Sequence, residues 1–291
     1  MRRIAFAGLC VVVAALPLRA QTADEKKATI AYLQKLQQKD GGFAPAADKP
    51  KSSLRATSSA LRALKYFGGE PLEKAACADF VKSCFDKDSG GFVDAPGGKP
   101  DVAVTAVGAM AVVELKLSTE PYEAAVVKYL ADNAKSFEDI RIAAAGLEAL
   151  GKRPKEADAW LEMIAKMRNA DGTYGKGPGA ARDTGGAAVA VLRLGGKVED
   201  ARTVLKVLKD GQRADGGFGK ADTESSDLET SYRVMRAFHM LGARPADPGR
   251  LRDFIASCRN DDGGYGPAKG QPSSTSGTYY AAIILHWLEE K

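Results

Sequence analysis

The sequence predicts an all-α fold, an (α/α)6 toroid in which six helical hairpin repeats close into a barrel. Three observations lead to this prediction. A glycine loop that ends in an aromatic residue recurs along the chain, helical stretches flank each loop, and the final helical stretch is among the most apolar in the sequence. No segment shows the alternation of apolar and polar residues that is typical of strands.

The first twenty residues have the layout of a secretory signal peptide. Arg2 and Arg3 precede an apolar stretch over residues 4–16, and Ala20 occupies a position typical of signal cleavage. The apolar stretch is shorter than the ~20 residues that cross a bilayer. We therefore expect cleavage near Ala20, an exported protein (periplasmic or secreted) without a transmembrane anchor in the mature chain, and one toroid domain over residues 21–291.

Charge, cysteine and histidine content restrict the functional classes. Loss of the first twenty residues removes three arginines and no acid, which lowers the formal net charge from +5 to +2. Because the remaining basic residues are interleaved with acids, we expect no nucleic-acid partner. Cys77 and Cys84 lie about 10 Å apart on one predicted helix, which is too far for a disulfide. We expect these two cysteines and Cys258 to be buried free thiols. The two histidines, His239 and His286, are too few for a three-histidine zinc site.

The glycine loops define the repeat. Successive loops are separated by 49, 82, 44 and 47 residues, and each loop places an aromatic residue two positions after its first glycine. These first glycines are Gly41, Gly90, Gly172, Gly216 and Gly263. The step of 82 is nearly two periods and predicts a unit that lacks a glycine loop, with a short joint at residues 133–137. Two helices in each of six units make twelve helices.

Caps are predicted at both ends of the helices. Four aspartates predict N-caps of the second helix of a unit, namely Asp101, Asp139, Asp183 and Asp227. Four glycines predict left-handed C-caps of that helix, namely Gly68, Gly151, Gly195 and Gly242. Four prolines lie at or near the first turn of the following helix, namely Pro71, Pro121, Pro154 and Pro248.

The apolar final helix, over residues 279–288, favours a closed barrel. The end units of an open array need polar caps, whereas closure buries this helix. We therefore expect six inner and six outer helices, with the glycine loops at one end and a funnel-shaped cavity along the axis. An open solenoid is the alternative.

Two loops have the form Gln-x-x-x-Gly-x-aromatic, Gln37 to Phe43 and Gln212 to Phe218, and the other three are weaker copies with Arg or Asp at the glutamine position. This pattern resembles the repeat shared by the β-subunits of protein prenyltransferases and by squalene and oxidosqualene cyclases. The resemblance covers the whole chain after residue 20 and implies an (α/α)6 toroid. Triterpene cyclisation is not expected, because the Asp-x-Asp-Asp motif that carries the cyclases' protonating acid is absent.

The resemblance to prenyltransferases implies a zinc site and a diphosphate site, and the sequence departs from both. Asp227 keeps the zinc-binding aspartate, but Glu229 stands at the cysteine position and Gly277 at or near the histidine position. Ala221 and Glu224 stand where the family has an Arg and a Lys that bind diphosphate. We therefore expect no cofactor, zinc included, and no zinc-dependent thiol prenylation.

Ten side chains are expected to reach the barrel axis near the glycine loops, none of them assigned as catalytic or as a metal ligand. They are Arg55, Asp101, Arg182, Asp183, Asp227, Glu229, Tyr232, Arg233, Tyr279 and Tyr280. A pocket with an aromatic wall, acids and arginines suits an amphipathic small molecule, a lipid, a peptide or a sugar. In the alternative interpretation the aromatic rings pack on each other, and the charges cap helices and pair locally.

Two functional hypotheses follow. The first is an exported, noncatalytic binding or scaffold protein that uses the central cavity. The second is a prenyltransferase-like enzyme that acts on an isoprenoid or other lipid. These two hypotheses leave open whether the protein is an enzyme. The resemblance also implies a possible helical protein partner, because prenyltransferase β-subunits pair with a helical α-subunit.

Overall fold

Outer and inner helices alternate along the chain in a computed structural model that describes residues 21–290. The outer helices are α1 (Ala23–Lys35), α3 (Lys74–Ser83), α5 (Glu120–Asn133), α7 (Ala157–Lys166), α9 (Ala201–Asp210) and α11 (Pro248–Ser257). The inner helices are α2 (Leu54–Phe67), α4 (Val102–Glu114), α6 (Phe137–Ala149), α8 (Ala180–Arg193), α10 (Leu228–Met240) and α12 (Thr275–Glu289). A short 3-10 turn (Gly177–Gly179) precedes α8. The signal peptide predicted for residues 1–20 lies outside the described residues.

The inner helices form a closed ring, which confirms the (α/α)6 toroid. Each inner helix contacts the next one, and α12 returns to contact α2. The last loop also packs against the first helix, where the Thr29 hydroxyl donates to the Gly263 carbonyl at 2.7 Å. The Thr275 amide donates to the Pro45 carbonyl at 2.9 Å across the same seam. The open solenoid is therefore wrong.

The glycine loops adopt the backbone that their residues require. The first glycine of each loop has φ between +77° and +93°, a region that only glycine adopts cheaply. The aromatic residue that follows points inward, and Phe43, Phe92, Phe218 and Tyr265 are buried. The unit without a glycine loop is α5–α6, whose joint is residues 134–136, as the repeat spacing predicts.

The predicted caps are confirmed in part. Asp101 and Asp227 are the N-caps of α4 and α10. Asp139 is wrong as a cap, because Ser136 caps α6 and Asp139 completes a capping box from the third helical position. Asp183 is also wrong, because α8 already begins at Ala180, so this carboxylate lies inside the first turn.

The glycines predicted at the C-terminal ends of the inner helices are confirmed, because φ is positive at all four positions. The second unit has no such glycine. Lys116 takes the left-handed conformation there instead, with φ of 56°, a conformation that is strained for residues with a Cβ atom.

The three cysteines in residues 21–290 are free and buried, as predicted. Burial raises the pKa of each thiol, Cys77, Cys84 and Cys258, to about 12. These thiols therefore remain protonated near neutral pH and act as small apolar core groups. Across residues 21–290, the helices are all too short or too polar to span a membrane.

Candidate functional site

A cavity of about 630 Å³ lies on the barrel axis and is lined by all six inner helices. Pro45 and Asp94, from two glycine-loop connections, lie at its mouth. Arg62 of α2, Met110 of α4 and Arg193 of α8 lie nine or more residues into their helices and form its inner end. The cavity therefore runs from the glycine-loop end of the barrel toward the opposite end.

Six of the ten predicted residues line this cavity, namely Arg55, Glu229, Tyr232, Arg233, Tyr279 and Tyr280. The other four, Asp101, Arg182, Asp183 and Asp227, do not line it. Asp227 accepts from the Thr230 amide at 2.7 Å as an N-cap. Asp101 caps α4 and binds Arg55 at the rim through both carboxylate oxygens. A carboxylate that caps its own helix is held at the helix end, which explains why these two do not reach the axis.

The other two residues lie in the first turn of α8. Arg182 and Asp183 form an ion pair at 3.3 Å. The Asp183 carboxylate also lies close to Gly175, at which an added Cβ would meet its Oδ2 at 2.2 Å. This pair thus belongs to the junction between the glycine loop of the fourth unit and its inner helix.

Four charged side chains form a network across the wall of the cavity. The Arg233 guanidinium binds Glu138 at 3.1 Å and Glu229 at 2.8 Å. Arg141 binds the same Glu138 at 2.9 Å. The network joins α6 to α10, which are separated in the ring by α8.

Small residues on α8 make room for this network. Gly185 and Gly186 lie in the middle of α8, and the Cβ position of Gly186 faces the Arg141 side chain at 3.6 Å. Ala187 and Ala188 follow them and are buried. A long side chain at Gly186 would fill the space that the α6–α10 ion pairs cross, whereas Gly185 faces Leu208 and Ala237 on another side of α8.

The network keeps its central carboxylate ionised. Burial of Glu138 works against ionisation, but Arg141 and Arg233 outweigh it and hold the pKa of Glu138 below its ordinary value. Glu138 is therefore an anion near neutral pH and lacks a proton to donate.

Aromatic rings form a column that continues the wall toward the inner end. Tyr232 stacks on Tyr280 with ring centroids 5.0 Å apart, and on Trp287 at 6.0 Å. Trp287 in turn stacks on His239 at 5.0 Å. Tyr279 packs beside Tyr232 at 5.5 Å and donates its hydroxyl hydrogen to the Tyr232 oxygen at 3.3 Å.

Three arginines surround this column at the inner end. The Arg62 guanidinium lies over the Tyr279 ring at 4.3 Å, and that of Arg236 lies over the Trp287 ring at 4.5 Å. Arg236 also donates to the Tyr232 oxygen at 3.4 Å. Arg193 is the third, and only 6% of its side chain is exposed.

The pKa values of the two paired tyrosines are shifted in opposite directions. Burial alone would raise the pKa of Tyr232, but Arg236, Arg62 and Arg193 outweigh burial and hold it well below its ordinary value. Burial and the neighbouring Tyr232 raise the pKa of Tyr279. Tyr232 is therefore the more acidic hydroxyl of the pair, and Tyr279 donates to it.

The sequence predictions missed four arginines at this site, Arg62, Arg141, Arg193 and Arg236. For two of them a signal exists in the spacing. Arg62 follows Arg55 by seven residues, and Arg236 follows Glu229 by seven. Residues seven apart lie on one face of a helix, two turns deeper. A predicted rim residue therefore points to a second residue farther along the axis.

The residues that stand at the family's zinc positions do not fit a zinc ion. Asp227 is engaged with the Thr230 amide and hydroxyl, and Glu229 with Arg233. At Gly277 a Cβ atom would meet the Tyr265 carbonyl oxygen at 2.5 Å, so the backbone leaves no room for a ligand side chain there. Nowhere in residues 21–290 do three His, Cys, Asp or Glu side chains lie together as a metal-binding group.

Comparison with solved structures shows the same fold. The chain is similar to a protein geranylgeranyltransferase-I from Candida albicans complexed with GGPP, with 11% identity and a TM-score of 0.68. The match covers 92% of this chain and 91% of that one. It is also similar to the type II terpene cyclase MstE from Scytonema, with 10% identity and a TM-score of 0.60 over 91% and 97% of the two chains. A glycosidase variant in complex with glucose matches with 12% identity and a TM-score of 0.58 over 91% and 95%.

These neighbours include three kinds of enzyme, so the likeness establishes the fold and leaves the activity open. No curated protein matches the sequence significantly. The family model of the prenyltransferase alpha-alpha toroid domain matches residues 4–139 and 140–291. With the closed ring of six hairpins, this match shows that the chain belongs to the prenyltransferase alpha-alpha toroid domain family.

Proposed function

We propose that the chain is exported and acts as a noncatalytic binding protein whose central cavity holds a small amphipathic molecule. The observation that carries this proposal is the composition of the cavity wall, in which stacked tyrosines lie beside the ion-paired Glu138 and Arg233. Concave sites with an aromatic wall and a few placed polar groups are typical of small-molecule binding.

The ion pairs of the cavity carboxylates favour ligand binding over glycoside hydrolysis as the function. Glycoside hydrolysis requires one protonated carboxylic acid and a second carboxylate. Glu138 and Glu229 both line the cavity, but both bind Arg233, and the pKa of Glu138 is lowered rather than raised. Glu138 therefore does not suit a general acid at neutral pH, and Glu229 is occupied by Arg233.

The charged wall also disfavours a long isoprenoid chain as the occupant. Five arginines and four acids line the cavity: Arg55, Arg62, Arg141, Arg193, Arg233, Asp94, Glu138, Asp139 and Glu229. Burying an alkyl chain against so many charged groups removes them from water without offering new partners. A ligand with polar groups of its own fits this wall better, which favours the binding protein over the prenyltransferase-like enzyme.

The test is to express the full chain, recover it after incubation with a lipid and metabolite extract, and detect retained molecules by native mass spectrometry. Val107 lines the cavity, and Val107→Trp should fill part of it and abolish retention. Leu72→Trp is the matched control, because 65% of Leu72 is exposed on the outer surface, and it should retain the ligand. Equal retention by both variants, or none by the wild type, would reject a cavity-binding function.

Export is tested separately, by identifying the N-terminal residue of the protein in each cell fraction. A mature N-terminus at Gln21 in the exported fraction would support export, and an intact Met1 in the cytosol would oppose it.

A further inference from the structure

The inner end of the cavity holds more guanidinium groups than carboxylates. Arg62, Arg193 and Arg236 come from α2, α8 and α10, and all three act on the Tyr232 hydroxyl through their positive charge. Arg62 and Arg193 line the cavity itself, whereas Arg236 lies behind the Tyr232 ring and over Trp287. The cluster therefore combines three helices that are distant in sequence.

The carboxylates near this cluster neutralise it incompletely. Glu148 binds Arg193 at 2.9 Å. Glu114 lies 4.0 Å from Arg62 but only 2.9 Å from Lys65, so its charge is shared.

Arg236 has no carboxylate partner among residues 21–290. Its polar contacts are the Tyr232 oxygen and the faces of two aromatic rings, and its Nε is buried without a hydrogen-bond partner. A buried cation without a counter-ion is costly, and a bound anion at the cavity end would offset that cost.

The wall between the cluster and the mouth is partly apolar. Val107, Met110 and Ile142 line it on one side, and Tyr279 and Tyr280 on the other. A ligand that enters from the mouth and places an anionic end at the arginines therefore lays its body against apolar and aromatic groups.

We propose that the ligand of the central cavity is an amphipathic anion, whose carboxylate or similar oxyanion group lies against Arg62 and Arg193 beside Tyr232. Its apolar body contacts the tyrosine wall. This inference rests on the proposed binding function and adds the chemical class of the ligand. Guanidinium groups bind oxyanions through charge-assisted hydrogen bonds, which suits Arg62 and Arg193 on the cavity wall, while Arg236 adds its positive charge from behind Tyr232.

The test compares three probes that differ only in charge, 4-phenylbutyrate, 4-phenylbutyramide and 4-phenylbutylamine, by calorimetry on the full chain. We expect the carboxylate to bind about tenfold more tightly than the amide, and the amine least tightly. Arg62→Gln should remove the preference for the carboxylate and Arg62→Lys should keep most of it. Arg202→Gln is the matched control, because Arg202 is exposed on the outer helix α9 and does not line the cavity, and it should leave the preference unchanged.

A second measurement, the titration of tyrosine, needs only the wild-type protein. The arginines hold the pKa of Tyr232 below its ordinary value, so a bound carboxylate beside it should raise the lowest tyrosine transition seen at 295 nm. The amide should leave that transition unchanged. An unmoved transition with bound carboxylate would overturn the proposed location.

The remaining outcomes separate this inference from the proposed function. Equal binding of the acid and the amide overturns the anion site while the cavity remains a binding site. Absence of binding by all three probes overturns the anion site, whereas the extract experiment decides the binding function independently. Displacement of 4-phenylbutyrate by an equal concentration of sulfate would assign the cluster to a free inorganic anion and overturn the amphipathic ligand.

Discussion

Gly216 and Gly242 separate two reasons for which a residue must be glycine. Both have positive φ, of 93° and 63°. At Gly216 a Cβ atom would also meet the backbone oxygen of Arg250 at 2.1 Å, whereas at Gly242 it would meet nothing within 4 Å. The loop glycine is therefore required by its backbone and by the close approach of α11, and the cap glycine by its backbone only.

We expect Gly216→Ala to destabilise the protein far more than Gly242→Ala. The left-handed backbone costs about 1 to 2 kcal/mol in either variant, and the clash with α11 adds about 1 to 3 kcal/mol at Gly216. Urea denaturation of the two variants measures the difference. Equal losses of unfolding free energy would contradict the close packing of loop and outer helix.

The N-caps of the inner helices can be predicted from a residue pattern only in part. Asp101 and Asp227 precede an apolar helix directly, and both cap it. Asp139 has the same kind of sequence neighbourhood, but Ser136 three residues earlier takes the cap and leaves Asp139 as its reciprocal partner. Carboxylates at the cap and at the third helical position both contact free amides, so sequence alone does not distinguish them.

At the scale of the element, each glycine loop is fastened to its inner helix by one hydroxyl group. The amide of the loop aromatic residue donates to a Thr or Ser hydroxyl in all five units, at 2.9 to 3.1 Å. The acceptors are Thr57, Thr105, Thr184, Ser231 and Thr278. This repeated contact fixes the loop against the first turns of the helix that lines the cavity.

We expect Thr105→Val to lower the unfolding free energy by about 1 to 3 kcal/mol, because the buried Phe92 amide loses its acceptor. The two side chains have nearly the same shape, so packing changes little. Thr105→Ser keeps the hydroxyl and is the control. Thermal or urea unfolding in which Val is no more destabilising than Ser would show that this hydrogen bond contributes nothing.

At the scale of the whole molecule, the Arg141–Glu138–Arg233–Glu229 network ties α6 to α10 across the small residues of α8. It holds nonadjacent members of the ring in register. Since the pKa of Glu138 is lowered in the folded state, its contribution to stability is present above the ordinary glutamate value of about 4.3. That contribution is lost as the pH falls through the lower folded pKa.

We therefore expect Glu138→Gln to be less stable than the wild type by about 1 kcal/mol at pH 7, since half-exposed ion pairs are partly screened. The difference should shrink below about pH 4 and vanish once Glu138 is protonated. Urea unfolding at a series of pH values measures it. Glu70→Gln, which removes an exposed i,i+4 pair with Lys74, is the control and should change stability little at any pH. A Glu138→Gln penalty that does not shrink between pH 7 and pH 3 would contradict an electrostatic origin.

The twelve helices, the unit without a glycine loop and the closed ring follow from the sequence by itself, because they depend on local features that repeat. A glycine that must adopt positive φ, an aromatic residue two positions later and an apolar helical stretch are each visible in single units. The apolar final helix adds the one nonlocal inference, since only closure buries it.

The tertiary structure decided which side chains meet on the axis. Arg62, Arg193 and Arg236 lie on three separate helices, and no spacing within the chain indicates that they surround one hydroxyl group. Their convergence depends on how each helix is rotated about its own axis and on how closely the small residues of α8 let its neighbours approach. The sequence thus determined the barrel, whereas packing across the ring determined the chemistry of its cavity.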